Sequence, residues 1–157
     1  MACDLALRYD AGRKCCDLVY DGRDFVLDST AATPMLMALL SHRRANADDE
    51  VPDAAPATTL APVSLTARGG WPGDALDPQA RRTGSRLWLL SRAKATEQTR
   101  RIAEDYAAEA LAQVEADRGY AIALKVSWSP QAVPGGKNLI IAAAAGGIGV
   151  AVNQMVG

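Results

Sequence analysis

The chain has one histidine, one phenylalanine and three cysteines in 157 residues. A single histidine excludes a centre built on several imidazoles, and any Ser–His–acid triad would have to use His42. Cys3, Cys15 and Cys16 are an odd set, and the adjacent pair bridges only under strain, so they read as reduced thiols of a cytoplasmically made protein. They have no ligand spacing with His42, so no metal or other cofactor is expected. Aromatic residues make up only 5%, which predicts an aliphatic core. Seventeen basic side chains face eighteen acidic ones, and this near-balance excludes a whole-chain electrostatic drive toward nucleic acid or an anionic membrane. The most apolar stretch, Leu139 to Val152, is broken by three glycines and is shorter than the ~20 residues a spanning helix needs. The start, Met1-Ala2-Cys3-Asp4, lacks the basic-then-apolar pattern of a leader peptide.

What is present is globular: 49% apolar and 22% charged residues in 16.5 kDa, enough for one domain with an extended arm. Asp4–Tyr9 and Asp17–Tyr20 alternate apolar and polar, each run followed by a turn signal, Asp10-Ala11-Gly12-Arg13 and Asp21-Gly22-Arg23. Phe25–Leu27 predicts a third short strand. Thr33 and Pro34 predict a helix start, with Thr33 as cap, and the helix is expected to end near His42-Arg43-Arg44. Residues 46–70 carry Pro52, Pro56 and Pro62 and read as a Pro-rich connector between a first segment, 1–45, and a second, 71–157. Trp71 sits in a Gly- and Pro-rich knot and reads as a packing anchor.

A second helix is expected over Ser85–Ala93. A third, capped by Thr96 and closed by Gly119, carries the apolar stripe Ile102, Ala103, Tyr106, Ala107, Ala110, Leu111 and Val114. Tyr120–Trp128 alternates as a strand, Pro130–Lys137 reads as a loop, and Leu139–Ile141 and Ile148–Val152 read as strands around Gly146-Gly147. The expected fold is therefore a small mixed α+β domain: amino-terminal hairpin strands, three helices and a carboxyl-terminal antiparallel set. A chain ending in a small-residue strand leaves an edge that invites strand addition.

Chemistry is sparse. Residues 81–101 hold Arg81, Arg82, Arg86, Arg92, Lys94, Arg100 and Arg101 against Glu97, a pattern that reads first as a solvated face paired with acidic neighbours and second as a nucleic-acid surface. Asp74, Asp77, Glu97 and Glu104 are carboxylates available on paper to a glycosidase, but nothing marks one as desolvated. Ser64, Ser85 and Ser91 lack a nucleophile-elbow context. A scaffold role fits better than an enzyme.

Several motifs occur in one order: Asp4-Leu5-Ala6-Leu7, Arg43-Arg44-Ala45, Asp48-Asp49-Glu50-Val51-Pro52, Gly70-Trp71-Pro72-Gly73-Asp74, and above all Gly84-Ser85-Arg86-Leu87-Trp88-Leu89-Leu90-Ser91-Arg92-Ala93-Lys94. Together they resemble the Mu-like phage baseplate protein family, a relative of the gene-25-like sheath initiators of contractile tails. The Glu-Pro-Arg signature of the wider group is absent; its slot reads Ala116-Asp117-Arg118-Gly119. The resemblance implies a non-enzymatic baseplate wedge component of the virion tail, assembled in the host cytoplasm. It implies six copies around the tail, between other wedge proteins and the tail sheath protein, offering strands to the sheath, with no membrane or nucleic-acid partner. Arg86, Trp88 and Trp71 in the motifs, and Leu139, Ile141, Ile148, Val150 and Val152 in the terminal strands, are the candidate partner-binding residues. The alternatives are a lysozyme-like peptidoglycan hydrolase of the tail and a nucleic-acid-binding module using residues 81–101.

Overall fold

A computed structural model describes residues 4–52, 67–134 and 136–157; much of the expected connector, 53–66, and Cys3 lie outside the described residues. The architecture is α+β. The first strand run splits in two, β1 (Asp4–Leu5) and β2 (Leu7–Asp10). The split has a cause at Ala6, whose amide goes to the Val26 carbonyl while its own carbonyl takes the Val19 amide. As a result β1 pairs with β4 (Leu27–Asp28) and β2 pairs with β3 (Cys15–Leu18), both antiparallel. The second strand therefore begins two residues earlier than its alternation suggests. The two turns are alike: the Asp10 carboxylate takes the amides of Gly12 and Arg13, and the Asp21 carboxylate takes those of Arg23 and Asp24. Cys15 and Cys16 are free thiols, and burial pushes the Cys16 thiol up.

Helix α1 (Ala32–Leu40) is not capped by Thr33, and it stops at Ser41, short of His42. The cap is delegated upstream. Asp28 Oδ2 accepts the Thr33 amide at 3.0 Å, and Thr30 Oγ1 accepts the Ala32 amide at 3.1 Å. The Thr33 hydroxyl instead accepts the Leu7 amide and donates to the Leu5 carbonyl, tying the amino-terminal strands to the helix. Burial pushes the Asp28 carboxyl up, but the hydrogen bonds from Thr30 and Thr33 outweigh it and bring it down to about 2.

Short 3₁₀ turns follow at Pro72–Leu76 and Leu87–Arg92. The latter is the helix expected at Ser85–Ala93, shorter and wound as 3₁₀, and it buries Leu87, Leu89 and Leu90. Helix α2 (Glu97–Arg118) has the expected ends: Thr96 accepts the Thr99 amide, and Gly119 closes it at φ 70°. Its buried stripe is Ala103, Ala107, Ala110, Leu111 and Val114.

The last third is one three-stranded antiparallel meander: β5 (Ala123–Val133), β6 (Gly136–Ala145) and β7 (Ile148–Val156), in that order. All three are longer than expected. The predicted loop at Pro130–Lys137 is mostly strand, because a register shift between Trp128 and Ala132 absorbs Pro130 on an edge strand, where its missing N–H is tolerated. Tyr120–Ile122 lies outside the strand. Gly146 and Gly147, at φ 58° and 82°, make the two-residue hairpin turn into β7. The sheet's inner face carries Val126, Leu139, Ile141, Ala143 and Val152 into the core, against α1, α2 and the Leu87–Arg92 turn.

Candidate functional site

The motif that carries the family resemblance is an internal clasp. Gly84 has φ +95°, and a Cβ there would stand 2.4 Å from the Ser41 carbonyl oxygen, so only glycine fits. That close approach lets Ser85 bridge to the end of α1: its amide donates to Ser41 O, its carbonyl takes the Arg43 amide, and its hydroxyl donates to Leu39 O at 2.7 Å. Trp88 donates its indole N–H to the Arg43 carbonyl at 2.9 Å and stacks on the His42 ring at 5.5 Å. His42 thus has a packing role.

Arg86 is the centre of the clasp. Its guanidinium bonds the Asp49 carboxylate at 3.0 Å and Glu109 of α2 at 3.0 Å, and lies 4.4 Å above the centre of the Tyr106 ring. Burial opposes its charge, but Asp49 and Glu109 outweigh that and hold its pKa above the ordinary value. Burial and the nearby Asp49 push the Tyr106 hydroxyl up. Arg43 reaches Glu109 as well, and Arg68 donates to the Asn46 and Asp49 carbonyls. Residues 42–52 are therefore strapped down by Trp88, Arg86 and Arg68. Sequence reasoning missed Asp49, Glu109 and Tyr106 as partners of Arg86; the i, i+3 spacing of Tyr106 and Glu109 on α2 was the available signal.

The candidate residues fall into three places. Arg86 and Trp88 face inward to the clasp. Leu139 and Ile141 are 0% exposed and Val152 is buried, so their side chains are core and only their backbone is available to a partner. Ile148 and Val150 remain partly accessible on β7. Trp71 is 57% exposed, more than a packing anchor would be, and its ring lies on Gly73, where a Cβ would come within 2.1 Å of it.

The two edges of the carboxyl-terminal sheet differ. On β5, Arg100 of α2 donates to the Val126 carbonyl at 3.2 Å, and Glu115 of α2 accepts the Ile122 amide, just before the strand, at 2.7 Å. Glu97 and Glu104 hold Arg100 in place and raise its pKa. Lys125 and Pro130 add a charge and a missing donor to the same strand. On β7 the sequence Ile148–Val156 has neither charge nor proline. Among the described residues its outward amides have one hydrogen bond, where Asn153 donates to the Tyr9 hydroxyl at 3.1 Å. Backbone groups alternate in direction along an antiparallel ladder, so Gly149, Ala151 and Met155 point their amides the same way as Asn153. All three are exposed, and among the described residues no strand pairs with this edge.

The basic segment is largely neutralised. Arg81 pairs with Asp77 and Asp117, Arg86 with Asp49 and Glu109, and Arg100 with Glu97 and Glu104. Asp4 of the amino-terminal strands pairs with Arg118. The shifted carboxylates, Asp10, Asp21, Asp28, Asp77 and Glu97, are all shifted down, whereas a glycosidase general acid must be shifted up.

Fold and site together define a small α+β domain with an internal clasp of ion pairs and, among the described residues, no strand paired to the outer edge of β7. Residues 31–147 match the family model described as phage protein GP46, and the chain belongs to that family. It is 40% identical over 108 residues to the baseplate protein gp46 of Escherichia phage Mu. The match covers 69% of this chain and 65% of that protein, so it spans just under two thirds of its relative's length. No solved structure matches the chain.

Proposed function

We propose that this protein is a structural component of a phage tail baseplate, located in the virion, and that it starts the tail sheath by adding a sheath strand to the outer edge of β7. Membership of a phage family and the relative named as a baseplate protein support the first part. The carrying observation for the second is the contrast between a guarded β5 edge and an uncharged, proline-free β7 edge of nine residues. Natural sheets protect long edges unless pairing is their purpose. In this reading the protein makes no bonds of its own. It stands between other baseplate wedge proteins and the sheath of a contractile tail, in six copies.

Removing residues 138–157 is an unsuitable test, because Leu139, Ile141, Val152 and Val156 belong to the core. Ala151→Pro is sharper: it deletes one outward-facing amide without touching a ladder bond to β6. The expected result is a folded protein that enters baseplates whose tails lack sheath. Normally sheathed tails carrying Ala151→Pro would overturn the proposal.

A further inference from the structure

Two exposed surfaces remain that neither the core nor the β7 edge uses. The first lies on the amino-terminal strands. Leu5 and Leu27 stand opposite each other across the β1–β4 pair, with Leu27 65% exposed. Phe25 is two residues from Leu27, and Tyr20 faces Phe25 edge-on at 6.0 Å, itself 60% exposed. Leu18, opposite Leu7 on the neighbouring strand pair, is exposed as well. Large apolar side chains this contiguous mark a contact surface. The turn between Tyr20 and Phe25 carries Asp21, Arg23 and Asp24, and the two carboxylates accept only backbone amides among the described residues.

The second surface is a groove of about 650 Å³ beyond the carboxyl end of α1, floored by Gly69, Gly70 and Pro72 and walled by Trp71. Leu76, at the end of the same turn, is 86% exposed. Three arginines and one carboxylate, Asp74, line the groove, and Asp74 accepts the Thr83 amide. Among the described residues Arg81 is paired with Asp77 and Asp117, Arg82 holds only the Asn46 side-chain oxygen, and Arg44 has no carboxylate partner. One surface is thus aromatic with two acids to one arginine, the other aromatic with three arginines to one acid. They sit on different parts of the chain: the first is tied to the amino end of α1 through Asp28 and Thr33, while the second abuts Arg44, past its carboxyl end.

We propose that the groove around Trp71 receives the Tyr20–Phe25 turn of a second copy of this chain, with Asp21 and Asp24 meeting Arg44 and Arg82 and the turn's aromatic pair packing on Trp71. The occupant follows from charge complementarity between two apolar surfaces that the chain itself supplies. Because the surfaces differ, the contact is head-to-tail, and it repeats from copy to copy until it closes into a ring or runs on as a filament. The packing of Trp71 on Gly73 presents the ring already oriented, which lowers the ordering cost of docking. The inference does not depend on the β7 edge, and the two are tested separately.

Sedimentation of the full chain at low salt tests it. The wild type is expected to self-associate as concentration rises, and added salt weakens that association. Arg44→Glu with Arg82→Glu, and separately Asp21→Lys with Asp24→Lys, are each expected to weaken association by at least about tenfold. Mixing the two variants in equal amounts restores it, because reversed groove then meets reversed turn and intact turn meets intact groove. Leu27→Asp, on the apolar part of the turn surface, weakens association without altering the charge pair. A wild type that stays monomeric at the highest soluble concentration overturns the proposal. So does association that ignores both charge reversals, fails to recover on mixing, or gives way to single-stranded DNA bound in the groove.

Discussion

The two edges of the carboxyl-terminal sheet belong to hairpins of one meander, yet they meet solvent in opposite ways. Beside β5, α2 supplies a fixed cation to the Val126 carbonyl and a carboxylate to the Ile122 amide. Beside β7, among the described residues, one tyrosine hydroxyl bonds one amide. The asymmetry does not come from the strands' pairing with β6, which is regular along the whole of β7 and along β5 up to Trp128. It comes from what α2 places next to one of them. A free edge is a hazard that folded proteins ordinarily cover. Covering one edge with side chains already held by Glu97 and Glu104, while leaving nine uncharged residues on the other, is the arrangement on which the proposed strand addition to β7 rests.

The largest expected effect destroys the comparison by removing the strand both edges share. Ile141→Ala on β6, fully buried, is expected to cost about 2–5 kcal/mol in a denaturant melt. Next comes the clasp that sets α1 beneath β7: Arg86→Met leaves Asp49 and Glu109 facing each other without their cation and is expected to cost about 1–3 kcal/mol in the same assay. Asp28→Asn weakens the cap of α1, and with it the strands that carry Tyr9 to the β7 edge, by about 1 kcal/mol. Asp28 titrates lower in the folded chain than in the unfolded one. Its contribution is therefore fully present above about pH 4 and is lost as pH falls toward about 2, and an acid titration of the wild type should lose more stability across that window than one of Asp28→Asn. The smallest effect on stability sharpens the contrast most. Arg100→Ala with Glu115→Ala uncovers the β5 edge; the melt should change little, while light scattering should reveal new association that the wild-type β5 edge does not support.

Much of the fold was legible where a local signal and the tertiary context agree. Thr96, Gly119 and the Gly146-Gly147 turn each need only their own backbone geometry, and each lies where the sequence places it. Readings failed where a distant group took over a local role. Thr33 looks like a cap, but Asp28 and Thr30 do that work while Thr33 bonds the amino-terminal strands. Ser85–Ala93 is helical as it reads, but as a six-residue 3₁₀ turn whose Trp88 bonds the Arg43 carbonyl beyond α1. Pro130 looks like a loop, but an edge bulge accommodates it. The site was less legible still. Arg86 and Trp88 stand out in the sequence, yet their partners come from residues 42–49 and from α2, separations that no periodicity reports. The bareness of β7 is written in its composition, whereas the protection of β5 depends on which face α2 turns to it.

Hydrogen exchange resolved to single amides, compared between the isolated protein and assembled tails, bears on the β7 edge most directly. Gly149 and Ala151 are expected to exchange freely in the isolated chain and to slow by about a hundredfold or more in sheathed tails, while Ile122 keeps the same protection in both. Amides at Gly149 and Ala151 that exchange as fast in the assembled tail as in the free protein would contradict strand addition at this edge.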